Sequence, residues 1–239
     1  MLTPNSVVRT TVRSVALIAV AASLAACGSD EPASPEELLG GKTLPAAVPA
    51  RGVGVGDAGA CHQVAAPMLD IESRNDTEPQ LRIPQPAGWE RFTKLDSEIL
   101  RFALANRNLV ANQFAPNVVV TLEHTPDADP QAIFDQTRDN VVKMAGAQDR
   151  GVKAGTVCGL PAETVTYVAA AMGPASPARP ISALQVVTRT GGQTYLVTAT
   201  MQTTQPDNPT YQRDVETILT GLQVLPPAAD KLTGRQKGN

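Results

Sequence analysis

Apolar and polar residues alternate with a period of two in several stretches of this chain, which predicts β-strands with one buried face. The clearest alternation covers residues 118–123. Residues 184–188 and 195–201 also alternate, and Gly191-Gly192 lies between them. Because a glycine pair accepts positive φ angles at both positions, these two segments are predicted to form a tight hairpin.

Weaker patterns predict further strands near both ends of the domain. Residues 99–105 are rich in apolar residues, and Leu81-Arg82-Ile83 is a predicted first strand that Pro84 and Pro86 stop. Residues 156–158 and 164–170 are predicted strands around a turn at 159–161, and residues 222–225 are a predicted edge strand. Residues 64–71 are predicted to form a short helix or turn.

Two segments combine helical periodicity with start and stop residues. Asp129-Pro130 opens the first and Gly146 ends it, whereas Asn208-Pro209 opens the second and Gly221 ends it. The two apolar stripes are Ile133, Phe134, Thr137, Val141 and Met144, then Tyr211, Val215, Ile218 and Leu222. Since the strand connections are too short for repeated βαβ units, the predicted class is α+β, an antiparallel β-sheet flanked by helices.

Residues 1–26 are predicted to be a lipoprotein signal peptide. Arg9 and Arg13 precede an uncharged apolar run that ends in Leu24-Ala25-Ala26-Cys27. That run is shorter than the roughly 20 apolar residues of a spanning helix. We therefore expect cleavage before Cys27, lipid attachment to Cys27, export, and anchoring on the outer face of the cell membrane. The alternative is an ordinary signal peptide in which this cysteine is incidental.

The mature chain is predicted to have three parts. Residues 27–59 contain the lipidated cysteine and a Pro/Gly-rich tether, whose roughly 30 flexible residues reach about 30 Å. Residues 60–227 form the folded domain, and residues 228–239 are a polar tail. Cys61 and Cys158 are the remaining cysteines, and export favours a disulfide between them. Two separate buried thiols are the alternative.

Charge and composition exclude several classes of function. The full chain has a net charge of −3 with no basic patch, so no nucleic-acid partner is expected. The two histidines, His62 and His124, are far apart in sequence and lack metal-binding spacing, so no metal or other cofactor is predicted. No G-x-S-x-G elbow is present, and we assign no catalytic residues. An envelope hydrolase remains as an alternative.

Four stretches of sequence carry a resemblance to a known family. They are residues 83–90 (IPQPAGWE), 114–122 (FAPNVVVTL), 158–164 (CGLPAET) and 207–214 (DNPTYQRD). Over about residues 60–227 the chain resembles the LpqN-type family of actinobacterial, chiefly mycobacterial, lipoproteins. The resemblance implies a PsbP-like α/β/α sandwich and no catalytic residues. It also implies a link to the cell envelope and to protein partners.

These observations favour a monomeric, non-enzymatic binding module for a protein or a cell-envelope partner. The candidate contact residues are Trp89, His124, Pro174, Pro177 and Arg179, of which the last three belong to a proline-rich loop at 173–180. For Trp89 the alternative is a core position, and for the loop it is a plain connector. A carrier or chaperone of envelope lipid or glycolipid is a second functional hypothesis.

Overall fold

The protein is described by a computed structural model over residues 60–171 and 176–227. The predicted signal peptide, Cys27, the tether and the polar tail lie outside these ranges. The strands are β1 Met68–Ile71, β2 Gln80–Pro84, β3 Glu90–Arg91, β4 Leu100–Ala105, β5 Asn117–Thr125, β6 Gln148–Val157, β7 Leu160–Ala169, β8 Arg179–Thr190, β9 Gln193–Gln202 and β10 Gln223–Leu225. The α-helices are α1 Pro130–Ala145 and α2 Pro209–Gly221, and a short 3-10 helix covers Arg107–Leu109.

The described strands form two antiparallel sheets. The larger has seven strands in the order β3-β4-β5-β9-β8-β7-β6, and the smaller has three in the order β1-β2-β10. The predicted glycine hairpin joins β8 to β9, with φ of 58° at Gly191 and 74° at Gly192. The predicted α+β class is therefore confirmed. The division of the strands between two sheets was not predicted from the sequence.

The seven-stranded sheet has packing partners on both faces. On one face, Val120 and Val197 share a buried apolar cluster with Ile83 of the small sheet and Ile218 of α2. On the other face, Val141 of α1 packs with Val165, and a second cluster joins Ile133 and Phe134 of α1 to Val187 and Leu196. The helices therefore lie on opposite sides of the sheet, as the α/β/α expectation requires.

Both helices begin and end close to the predicted residues. The Asp129 side chain accepts from the backbone N–H of Gln131 at 2.9 Å, and Gly146 takes the left-handed conformation at φ 56°. Gly221 is the last residue of α2, and glycine is needed there for a different reason, because a Cβ would lie 2.5 Å from a methyl of Val64. Met144, expected on the buried stripe of α1, is 56% exposed.

Three sequence expectations were wrong in detail. Residues 68–71 form strand β1, paired antiparallel with β2, where a helix or turn was expected. Strand β6 has ten residues, although only its last part was predicted. The turn between β6 and β7 consists of Cys158 and Gly159, both at positive φ, so Leu160 and Pro161 belong to β7.

The predicted disulfide is present in the structure. Cys61 is bonded to Cys158, which lies in the turn between β6 and β7. The two cysteines are 97 residues apart in sequence. The bond therefore fastens the start of the described domain to one end of the large sheet.

Candidate binding surfaces

Trp89 is a core residue and does not lie on the surface. It is 2% exposed, and its indole N–H donates to Asp214 Oδ2 at 2.8 Å. Asp214 belongs to α2 and is also buried, while Arg213 donates to its other carboxylate oxygen at 3.1 Å. Of the two alternatives for Trp89, the structure favours the core position, where it joins the backbone after β2 to α2.

The proline-rich loop ends earlier than expected because β8 begins at Arg179. Arg179 is 1% exposed and donates to Gln202 Oε1 at 2.8 Å and to the Pro177 carbonyl oxygen at 3.1 Å. Its guanidinium lies 5.2 Å from the Phe114 ring centroid. Arg179 therefore stabilises the start of β8 and is not an exposed contact residue, which corrects the expectation for this position. Pro174 lies outside the described residues.

His124 is exposed near the end of β5. Its ring meets the Tyr195 ring edge-on, with 5.8 Å between centroids, and its Nε2 contacts Gln193 Oε1. The Tyr195 hydroxyl lies 2.8 Å from Thr77 Oγ1, so the histidine sits beside the loop that follows β1. No second ionisable side chain is paired with His124 among the described contacts.

Trp89 and His124, two of the sequence-predicted contact residues, are not brought together. Glu90, which follows Trp89, pairs with Ala105, and Ala105 pairs with Asn117 at the start of β5. His124 lies seven residues farther along β5, about 23 Å away at about 3.3 Å per residue. A single site containing both Trp89 and His124 is therefore excluded by the geometry of the sheet.

A different feature is a polar stripe on the α1 side of the seven-stranded sheet. We define the polar stripe as Thr121 and Glu123 of β5, Thr198 and Thr200 of β9, and Gln185 of β8. Thr121 pairs with Thr198, and Thr198 pairs with Gln185 across the sheet. The three threonines and Glu123 are half-buried, between α1 on one side and the segment containing Phe92 and Leu95 on the other.

Gln185 is the most buried member of the polar stripe. It is 2% exposed, and its Oε1 has no hydrogen-bond partner among the described residues. Its neighbour on β7, Glu163, is held by the guanidinium of Arg138 from α1. A buried acceptor without a donor costs roughly 1–3 kcal/mol. The polar stripe therefore contains a buried acceptor that lacks a donor among the described residues, and a ligand N–H or O–H reaches it only if the side chains around it move.

Glu123 is the ionisable member of the polar stripe. Burial raises the pKa of its carboxyl to about 7, and a hydrogen bond from Thr121 opposes this rise. The carboxyl is therefore divided between its charged and neutral forms near neutral pH. In its neutral form it both donates and accepts hydrogen bonds, so the polar stripe offers hydrogen-bonding groups of both kinds.

Two clefts lie beside the sheets. One, of about 210 Å³, lies next to β1 and is lined by Asp70, Glu72, Asp76 and Glu78, among others. The other, of about 280 Å³, lies between the start of α1 and strands β6 and β7, with Asp129, Phe134 and Glu163 in its walls. Both are smaller than the roughly 300–1,000 Å³ of a typical small-molecule pocket.

The described ranges also bear on membranes and metals. Between residues 60 and 171 and between 176 and 227, no helix has the length and apolar character needed to cross a membrane. Within the same ranges, no group of three or more His, Cys, Asp or Glu side chains is arranged to hold a metal ion.

Comparison with known proteins bears on the family and the fold. A family model described as probable lipoprotein LpqN matches residues 66–225. No curated protein matches the chain. One similar solved structure is the crystal structure of LpqN from Mycobacterium tuberculosis, a protein described as involved in cell envelope biogenesis. Its sequence is 15% identical to this chain and its TM-score is 0.55, and the match covers 67% of this chain and 91% of that one. The resemblance and fold predicted from the sequence are confirmed.

Two other solved structures are similar at lower TM-scores. Cyanobacterial PsbP from Synechocystis is 16% identical with a TM-score of 0.44, covering 71% of this chain and 99% of that one. The Ran-binding protein Mog1p from Saccharomyces cerevisiae is 13% identical with a TM-score of 0.42, covering 68% and 97%.

Proposed function

The chain belongs to the family described as probable lipoprotein LpqN, and we propose that it is an exported, membrane-anchored binding module that holds its partner on the polar stripe. The observation that carries this proposal is the unpartnered Oε1 of buried Gln185. A bound group that donates to this oxygen removes the cost of leaving it unsatisfied. Thr121, Thr198 and Thr200 supply further hydroxyl groups beside it.

The process that this module serves is the building of the cell envelope. The similar Mycobacterium tuberculosis protein is described as involved in cell envelope biogenesis. We extend that role to this chain because of the shared family and because the expected anchor, Cys27, would hold the domain at a root-mean-square distance of about 30 Å from the membrane. The partner is a protein or another component of the envelope.

Binding is favoured over catalysis by the arrangement of the ionisable side chains. Glu123 and His124 are consecutive in β5, and consecutive residues of a strand point to opposite faces of the sheet. The carboxyl on the polar stripe therefore has no imidazole beside it to complete an acid–base pair. A serine hydrolase of the Ser-His-carboxylate type would need such a pair next to its nucleophile.

A carrier that encloses lipid is the weaker alternative. The clefts of about 210 and 280 Å³ are small for an acyl chain with a headgroup. The apolar face of the large sheet is filled by the small sheet and α2. Contact on the half-buried polar stripe is therefore the better supported mode of binding.

The anchor is tested separately from the binding surface. We expect Cys27→Ala to release the protein from the membrane fraction, because the thiol that takes the lipid is removed. Fractionation of cells followed by immunoblotting measures this. Membrane association equal to that of the parent would show that the anchor lies elsewhere.

Substitution of Gln185 tests the binding surface. Gln185→Leu removes a buried acceptor that has no partner, so we expect the thermal midpoint to stay unchanged or to rise. We also expect recovery of the envelope partner after crosslinking in cells to fall at least about fivefold, or about 1 kcal/mol. The matched control is Glu216→Gln on the exposed side of α2. Unchanged partner recovery for Gln185→Leu would contradict the proposal.

A further inference from the structure

Strand β6 forms one edge of the seven-stranded sheet. Among the described residues, no strand pairs with its outer side, and residues 151–156 are all exposed. The opposite edge strand, β3, has only two residues. A shift of register between Gln148 and Gly151 interrupts the pairing of β6 only near its start. The remainder is a regular open edge, which is a template for another strand.

Hydrogen-bonded and non-hydrogen-bonded residue pairs alternate between β6 and β7. This alternation shows which backbone groups of β6 point outward and could bond to another strand. Val157 and Leu160 close the two-residue turn, so they exchange both backbone hydrogen bonds. Gly155 and Lys153 follow at every second position and also bond to β7. The N–H and C=O groups of the intervening residues therefore point away from the sheet. These residues are Val152, Ala154 and Thr156.

The cleft of about 280 Å³ lies on the face where Val152 and Ala154 place their side chains. Val152 pairs with Val165, which packs against Val141 of α1, so this is the α1 side of the sheet. Phe134 and Ala154 supply apolar walls. A strand added to β6 would direct every second side chain towards this cleft.

We infer that the outer edge of β6 binds an extended, basic polypeptide segment of another protein, with an apolar residue at every second position. The free backbone groups repeat about every 6.8 Å, which is the spacing of an extended backbone. Charge complementarity favours a basic segment. Asp129 lies at the cleft with its side chain exposed, whereas Lys153 of β6 places its side chain on the opposite face of the sheet.

A second copy of this chain is a poorer occupant. Pairing of two β6 edges would engage residues 152–156 of each copy, whereas a stable interface uses about 20–30 residues on each side. Addition of a short segment does not need that area, because backbone hydrogen bonds supply affinity and the cleft supplies specificity. The inference goes beyond the proposed function and does not depend on the polar stripe.

A synthetic peptide provides the direct test. The probe is an acetylated and amidated peptide, Lys-Val-Thr-Val-Thr-Val-Lys, added to residues 27–239 carrying Cys27→Ser. Backbone amide hydrogen exchange is followed by NMR. At saturation we expect exchange at Val152, Ala154 and Thr156 to slow about tenfold or more, while Lys153 and Gly155, already bonded to β7, change far less. No slowing, or equal slowing at all five amides, would overturn the inference.

Matched controls separate the parts of the inference. Ala154→Pro removes one outward N–H at a position that does not bond to β7, so the fold is retained and peptide binding is lost. N-methylation of the probe at the residues whose backbone N–H points towards β6 should abolish its binding to the protein without Ala154→Pro. N-methylation at the alternate residues, whose N–H points away from β6, should not. Equal binding of a probe with glutamate ends would overturn the charge argument. Slower amide exchange at Val152, Ala154 and Thr156 when only the protein concentration is raised would show that a second copy of the chain is the occupant.

Discussion

Trp89 and Asp214 are joined by a buried hydrogen bond of 2.8 Å between the indole N–H and the carboxylate Oδ2. The tryptophan ends the stretch that follows β2, and the aspartate lies in the middle of α2, 125 residues later in sequence. Two of the four stretches that carry the family resemblance therefore meet at this contact. Their shared role is to fix α2 against the small sheet, where its buried Ile218 joins the main core.

Removal of the indole donor should destabilise the domain. Trp89→Phe leaves Asp214 Oδ2 buried without this N–H, and hydrogen bonds to charged groups contribute about 1.5–3 kcal/mol. We expect the free energy of unfolding to fall by at least this amount, measured by urea denaturation. Asp214→Asn in the same background is the control, since the double variant should lose less than the sum of the single losses. Strict additivity would show that the two side chains are not coupled.

The raised pKa of Glu123 predicts a pH dependence of stability. The pKa of its carboxyl is about 7 in the folded protein, against 4.5 as the usual value. The folded state therefore binds the proton more tightly than the unfolded state, so this residue makes stability fall as pH rises from about 4.5 to 7, with no further change above.

Substitution of Glu123 by glutamine removes that dependence. The thermal midpoint of Glu123→Gln, relative to the parent, should be higher at pH 8 than at pH 4, measured by scanning calorimetry at both values. Asp135→Asn on the exposed side of α1 serves as a control that also removes one carboxylate. A difference between Glu123→Gln and the parent that is the same at both pH values would contradict the shifted pKa.

The disulfide should contribute strongly to stability. Closing a loop of 97 residues restricts the unfolded chain, and the chain-entropy account gives about 4–5 kcal/mol for this length. In urea denaturation, the double variant Cys61→Ala with Cys158→Ala is expected to show a free energy of unfolding lower by most of this amount. Reduction of the parent protein should produce a similar loss. Two free thiols in the non-reduced exported protein would contradict the pairing.

The hairpin and the two helices could be predicted because their signals are local. Gly191-Gly192 accepts the positive φ angles of the turn, and Asp129 and Asn208 cap the helices with their own side chains. Each of these features depends on a few neighbouring residues. The sequence pattern therefore contained the information needed to locate them.

Most of strand β6 could not be predicted because both of its faces are exposed over residues 151–156. An exposed strand has no alternation of apolar and polar residues to mark it, and its conformation depends on pairing with β7. Strand β1 is too short to show periodicity, and it depends on β2 in the same way. The division of the strands between two sheets likewise depends on contacts between segments that are distant in sequence.

The burial of the candidate contact residues could not be predicted, for a related reason. Trp89 and Arg179 have chemistry suited to recognition, but burial is decided by tertiary packing. The polar stripe was missed because its threonines and Gln185 lie on separate strands within stretches of alternating residues. Alternation within one strand shows which of its own residues share a face. Only the register between strands shows that Thr121, Thr198 and Gln185 lie side by side.

Photo-crosslinking from the polar stripe is the most direct test of the proposed binding function. A photoreactive amino acid at Thr198, in the native anchored protein, is compared in intact cells with the same group at Glu216. The account predicts that Thr198 gives a discrete crosslinked product, that Glu216 does not, and that Gln185→Leu lowers the yield from Thr198. Equal yields from the two positions, or no product from Thr198, would contradict binding on the polar stripe.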